Sequence, residues 1–382
     1  MQETPLVTSQ DNGISKNIFS LWKIIIPVII GLSVVVFMFW HESKNENLGE
    51  VWKDINFSWW TWLCVGLGFL FMWGRDFGLT WRFRALTDKK LSWGKAYKVD
   101  FLCEFTSCVT PSAVGGSSFG MVFLNSQGIE IGKATTLMMI TLFLDELFFV
   151  ISCPLVVLLT PAKYIFDSEG EAFSTGIKLT FWIVYAIVAL WTFVLFTGII
   201  WKPQWISKIT RKLALWKWLK KWSGQIEDLG NNMVNASAEL KKKPFRFWLE
   251  VFAGTAVSWI SRYLVVNALF LGFIPSDDRW QWVILARQFV IWIVLMVSPT
   301  PGGAGVSEWI FANYYGDLLP SVGMALIMAV FWRIISYYVY LVIGAVIVPG
   351  WLKDSFTKIR KRTILKRKIR SEEISPVEAE ID

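Results

Sequence analysis

Residues 298–309 read S-P-T-P-G-G-A-G-V-S-E-W and sit between two apolar runs. Proline removes a backbone donor and clashes with the preceding helical turn, and glycine loosens the chain. Inside a bilayer a freed backbone group finds no water, so such a break must be enclosed by protein or line a wet cavity. A break also starts a new half-helix, whose first N–H groups and dipole favour an anion such as phosphate. Thr300 and Pro301 open the turn, Gly302, Gly303 and Gly305 let a ligand approach the backbone, and Glu308 follows. A second stretch, T-P-S-A-V-G-G-S-S from Thr110 to Ser118, carries Thr110, Pro111, Gly115 and Gly116 in similar order.

Charged residues within apolar runs are costly and usually paired or functional. Those present are Arg75 and Asp76, Asp100 and Glu104, Asp145 and Glu146, Arg262, Arg287, Glu308 and Arg333. Arg262, Arg287 and Arg333 offer forked donors suited to phosphate. Three roles stay open for Glu308: holding an arginine, binding a cationic group, or binding a proton. A purely structural Glu308–Arg333 ion pair is the alternative. Asp145 is a further candidate, with Glu146 beside it. Arg75 and Asp76 lie near the end of their run, within reach of the membrane interface by snorkelling.

The elements that position these residues are helices in a membrane. The chain has 382 residues, 54% of them hydrophobic, and several apolar runs are as long as the roughly twenty residues that span a bilayer core. Spanning candidates are 21–40, 59–80, 133–160, 177–200, 246–271 and 321–349, while 99–125 and 281–318 are apolar but broken. Short cytoplasmic loops are enriched in Lys and Arg. Loop 81–98 has six basic residues (Arg82, Arg84, Lys89, Lys90, Lys95, Lys98) against Asp88, loop 202–246 has eleven against three acids, and 351–370 has nine against one. Loops 41–57, 161–176 and 272–280 are acidic on balance. Sorting the basic loops inside and the acidic ones outside leaves 99–131 beginning and ending inside, and 281–320 beginning and ending outside. Each must enter and return.

The expected fold is therefore an all-α polytopic membrane protein with about six full spans and two oppositely oriented re-entrant helical hairpins. Similarly broken segments in opposite orientation point to an inverted repeat with a site at the membrane midplane. Residues 1–20 form a polar N-terminus without a signal-peptide layout. Within 203–245, Trp205, Ile209, Leu213, Trp216, Leu219, Trp222, Ile226, Leu229 and Met233 recur three or four apart, predicting an interfacial amphipathic helix. The tail 351–382 is basic, then acidic; its basic part suits anionic lipid. The four cysteines lack metal-ligand spacing and read as small buried thiols.

Several chemistries are excluded. G-I-E-I-G-K-A (Gly128 to Ala134) is one residue short of a phosphate loop and lacks the Ser/Thr after Lys, so no ATP site is expected. The single histidine, His41, leaves no Ser-His or zinc-histidine set. No metal, cofactor or nucleic-acid partner is expected.

P-T-P-G-G-A-G-V-S-E-W, with a later apolar span centred on W-R-I-I-S-Y-Y (Trp332 to Tyr338), resembles the flippase-like family that forms the membrane half of lysylphosphatidylglycerol synthases. T-P-S-A-V-G-G and the span holding F-L-D-E (Phe143 to Glu146) match the same family in the same order, so the resemblance covers about residues 20–350. It implies a flippase-like domain over 21–350 that moves lipids between leaflets or binds their headgroups without ATP. Thr110, Pro111, Gly115, Gly116, Asp145, Arg262, Arg287, Thr300, Pro301, Gly302, Gly303, Gly305, Glu308 and Arg333 are its candidate headgroup residues. In bifunctional relatives a soluble aminoacyl-transfer domain follows; the 351–382 tail is too short for one, so aminoacyl-transferase activity is expected to be absent and the chain is read as a non-enzyme. The implied partners are phospholipids, anionic or aminoacylated, in a bacterial plasma membrane with both termini cytoplasmic. Two alternatives stay open: a membrane partner of a lipid-synthesis enzyme without transport of its own, and an intramembrane lipid transferase using carboxylates. Self-association also stays open.

Overall fold

The computed structural model describes residues 57–110, 114–168, 170–214, 223–274, 278–298 and 300–353, besides Ser33 and Trp40. The expected span 21–40, Pro111 and the tail beyond 353 thus lie outside the described residues. The described chain is helical, without strands. Twelve α-helices are used below. They are α1 (Trp59–Leu86), α2 (Trp93–Val109), α3 (Val114–Ser126), α4 (Ile131–Leu159), α5 (Ala162–Phe166) and α6 (Glu171–Leu195), then α7 (Gln204–Ala214), α8 (Ser223–Lys241), α9 (Phe245–Phe273), α10 (Asp278–Leu295), α11 (Val306–Tyr315) and α12 (Val322–Arg333). α6 continues through a wider turn to Trp201, and α12 through another to Lys353.

Four helices are long and apolar enough to cross a membrane: Ile131–Leu159, Glu171–Trp201, Phe245–Phe273 and Val322–Lys353. They match four of the six expected spans. The expected span 59–80 lies within the 28-residue α1, whose tryptophans, glycines and buried Arg75, Asp76 and Arg82 lower its apolar character. Broad apolar faces point outward: Leu190 is 67% exposed and Val346 75%. Contiguous apolar surface of this kind needs a nonaqueous neighbour, which a bilayer supplies.

α1 and α9 form the closest helix pair. A Cβ on Gly78 would lie 2.6 Å from the Gly254 carbonyl oxygen, and one on Gly254 would lie 2.9 Å from that of Gly78. Helices in lipid gain little from burying apolar surface, so small residues that admit close backbone contact decide where they cross. Near one end of the pair, Trp60 Nε1 donates to the Leu271 carbonyl at 3.0 Å and Thr61 Oγ1 to that of Gly272 at 2.9 Å. At the other, Asp88 and Lys89 take left-handed φ values of 52° and 60°, turning the chain into α2, and Lys243 bridges to Asp88 at 2.5 Å. The basic loops around 88 and 243 therefore share one face.

Two helices break and return. α2 and α3 pack together across the gap at 111–113, and a Cβ on Gly120 would lie 3.2 Å from Cys103 Sγ, so residues equally far from the break are neighbours. α10 and α11 likewise run side by side: Tyr315 Oη donates to the Ile284 carbonyl at 3.1 Å and Gln288 Nε2 to Tyr315 Oη at 2.5 Å. The two breaks meet, with Gly302 N–H directed at the Thr110 carbonyl at 3.4 Å.

The 203–245 segment differs from the single interfacial helix expected. α7 and α8 pack against each other, which a continuous straight helix cannot do. The difference arises because α8 has its own docking face. Met233, Ala236 and Leu240 are buried, Lys133 bonds Glu239 at 2.9 Å, and the Thr136 hydroxyl reaches the Met233 carbonyl at 3.5 Å. The Lys133 ammonium holds the Glu239 carboxyl below its usual range. Trp205 and Ile209 of α7 stay exposed, as an interfacial helix requires.

The glycine crossing gives a test with an internal control. Gly78→Ala should destabilise the protein by about 1–3 kcal/mol, the usual cost of overpacking. Gly66→Ala, on the same helix with nothing within 4 Å of the added carbon, should not. Thermal unfolding of both variants in detergent decides; equal midpoints would refute the close crossing.

Candidate functional site

The second break is built around Glu308, which is fully buried. Its Oε2 accepts from Gly305 N–H and Ser307 Oγ, both at 2.8 Å, and its Oε1 from Arg333 Nε at 2.9 Å. Ser307 N–H is itself bonded to the Gly303 carbonyl at 2.9 Å. The anion at the start of α11 is thus the chain's own carboxylate, and it fills the place the sequence suggested for a ligand. Arg333 also donates to the Gly302 carbonyl at 3.1 Å, and its guanidinium lies 3.9 Å from the Tyr337 ring centre. Gly302 sits at φ +57°, where a Cβ would lie 2.2 Å from the Tyr337 ring. Tyr337 Oη donates to the Cys108 carbonyl at 3.2 Å, so one tyrosine touches both breaks.

The other intramembrane charges divide into paired and unpaired. Arg75 bonds Asp76 at 2.7 Å and also Glu104, while Tyr340 Oη donates to Asp76 at 2.7 Å, tying α1, α2 and α12 together. Arg75 and Asp76 are therefore buried in protein rather than snorkelling. Asp145 is gripped by both guanidinium nitrogens of Arg82, at 2.5 and 3.1 Å, and accepts from Trp259 Nε1 at 2.8 Å. Arg82 was counted above as a loop cation; it is 1% exposed because α1 extends to Leu86. Arg287, 1% exposed, lies away from the breaks. It grips Asp317 at 2.5 and 2.7 Å and the carbonyls of Tyr164, Asp167 and Tyr314, clasping two loops. Asp317 gave no signal in the sequence beyond lying in a polar turn.

Arg262 is different. It is half-buried, with neither an ion pair nor a hydrogen bond among the described residues. Its guanidinium lies 4.3 Å from the Trp292 ring centre and 5.6 Å from that of Trp259. Such stacking fixes the plane and leaves the edge donors free.

Arg262 stands between two cavities. One, of about 120 Å³, lies at the meeting breaks and is lined by Ser298, Thr300, Gly302, Gly303, Ser307 and Arg333, among others. The other, of about 180 Å³, reaches toward Arg82, Asp100, Asp145 and Glu146. Glu104, Ser107, Arg262, Trp292 and Met296 line both. Each is roomy enough for several waters, which meets the condition for irregular backbone at membrane depth.

Of the residues singled out in the sequence, the structure brings Thr300, Gly302, Gly303, Arg262 and Arg333 to the first cavity and Asp145 to the second. Thr110 meets Gly302 through its carbonyl, and its hydroxyl donates to the Thr106 carbonyl at 2.6 Å. Pro301 and Gly305 shape the turn before α11: the Pro301 carbonyl accepts from Ala304 N–H at 3.1 Å, and Gly305 holds Glu308. Gly115 and Gly116 lie in the first turn of α3. Among the described residues no group of three or more His, Cys, Asp or Glu is placed to hold a metal ion.

The family profile described as the lysylphosphatidylglycerol synthase TM region matches residues 24–344. A UPF0104 membrane protein of Archaeoglobus fulgidus is 23% identical over 344 residues, 87% of this chain and 98% of that protein. No solved structure matches.

Paired and unpaired charges should behave differently when neutralised. Glu308→Ala leaves Arg333 buried without its partner and should cost about 3–5 kcal/mol. Arg262→Gln breaks no pair and should unfold within a few degrees of the parent chain. Detergent melting curves test both, and a well-folded Glu308→Ala would show that this clasp does not hold the break.

Proposed function

The chain belongs to the lysylphosphatidylglycerol synthase TM-region family, and from that premise we propose that it moves phospholipids between leaflets without ATP. On this reading the broken pairs α2–α3 and α10–α11 are re-entrant hairpins entering from opposite faces, and their meeting tips mark the membrane midplane. The headgroup phosphate sits at Arg262, with Ser298 and Thr300 as further donors. The observation that carries this reading is the unpaired Arg262 in the wall of a cavity bounded by both breaks.

An arginine without a counter-charge at membrane depth is costly. A phosphate lowers that cost by supplying charge-assisted bonds, and on either side of Arg262 lies a cavity with polar groups in its wall. Asp145 is held by Arg82, Glu104 by Arg75 and Glu308 by Arg333, so these three acids are committed to ion pairs. We read the protein as a carrier. Because the basic loops around 88 and 243 share one face, we place that face, with both termini, in the cytoplasm of a bacterium.

Leaflet exchange of labelled phospholipids in proteoliposomes tests the proposal. The parent chain should accelerate exchange over protein-free vesicles. Arg262→Gln should lower the rate about 10- to 100-fold, the worth of one hydrogen bond to a charged group, with unchanged reconstitution. No exchange of any lipid by folded protein would overturn the carrier role, and an unimpaired Arg262→Gln would overturn its site.

A further inference from the structure

Beyond the phosphate site, the second cavity carries an opposite chemistry. Asp100, on α2, is 1% exposed, and neither of its carboxylate oxygens has a hydrogen-bond partner. On α4, Glu146 Oε2 and Thr141 Oγ1 are buried and equally unpartnered. All three residues line this cavity. Buried carboxylate oxygens without donors are expensive, and native structures leave few of them. Here they border one cavity, from α2 and α4.

The neighbouring cations do not answer them. Arg75 is held by Asp76 and Glu104, and Arg82 is committed to Asp145 and to Thr255 Oγ1 at 3.1 Å. Arg262 is free, but it also faces the first cavity, where the proposed phosphate binds. A phosphate at Arg262 takes up the cation that, among those lining this cavity, has no acidic partner.

The geometry points to a second subsite, in which Asp100, with Thr141 and Glu146, receives a primary ammonium group. Three features select this class over a bare metal ion. Among the described residues no three acids are placed to hold a metal ion. The space is much larger than one ion. Phe149 and Trp259 also line it, and aromatic faces stabilise organic cations. An ammonium offers three donors to scattered acceptors; a quaternary amine offers none.

The inference rests on the proposed phosphate site and extends it: a ligand joining phosphate to a primary amine fills both cavities across Arg262. The amine comes either from a lipid headgroup or from a free small amine.

Native mass spectrometry of the full chain in detergent tests this, with phosphatidylethanolamine, phosphatidylcholine and phosphatidylglycerol supplied in equal amounts. The ethanolamine lipid should be retained at least several-fold over the other two. Asp100→Asn should abolish that preference while leaving phosphatidylglycerol retention within about twofold, and Glu146→Gln should reduce it. Arg262→Gln should weaken all three lipids together. Displacement of the ethanolamine lipid by free ethanolamine supports an ammonium site open to soluble amines; retention against free ethanolamine supports a lipid source. Equal retention of the three lipids by the parent chain, or a preference unchanged in both acid variants, overturns the subsite. Leaflet exchange on the same samples keeps the readings apart: exchange without headgroup preference leaves the carrier standing and removes the ammonium site.

Discussion

The fold depends on a single constraint: two helices are interrupted inside an apolar protein interior, where backbone groups are expensive to leave unpaired. The solution is to bring the interruptions together. Gly302 N–H faces the Thr110 carbonyl, Tyr337 reaches from α12 to the Cys108 carbonyl, and Arg333 spans from the Gly302 carbonyl to Glu308. Glu308 in turn accepts from the Gly305 amide that precedes α11. These contacts link the two breaks to each other and to α12. Gly302 follows from the same constraint, since the Tyr337 ring occupies the space a side chain would need.

Around this junction charge does two kinds of work. Arg82 with Asp145 joins α1 to α4, Arg75 with Glu104 joins α1 to α2, and Arg287 with Asp317 joins α10 to the turn after α11. Replacing such buried pairs by apolar packing is often neutral for stability, so their value here is in fixing which helix meets which. A bilayer gives weak guidance on that question, because lipid tails solvate apolar faces nearly as well as other helices do.

Much of this was legible in the sequence. Both breaks announce themselves through Pro and Gly inside apolar runs. The partners of the charges were not legible. Arg82 looked like a loop cation because residue counting cannot see a helix run on past its apolar stretch. Arg287 looked like a phosphate ligand because Asp317 lies thirty residues away in an unremarkable turn. Glu308, three residues after Gly305, carries the spacing of a helix cap. That local signal competed with the expectation of an external anion, and the cap prevails because it lies within a single turn. The 203–245 stripe is continuous in sequence, yet α8 leaves it to dock on α4.

Once the paired charges are assigned, what remains unpaired is informative. Arg262, Asp100 and Glu146 keep charge or polar atoms without partners, and all three border connected cavities. Groups that only build structure gain from being satisfied, so an unsatisfied one persists where something else satisfies it. The stacking of Arg262 on Trp292 supports this: the ring holds the guanidinium in place while making no claim on its edge donors. A fixed cation with open donors on one side and open acceptors beyond it is complementary to a ligand of the opposite charge pattern. On the proposed reading such a ligand would exchange contacts from one cavity to the next at Arg262, which lines both.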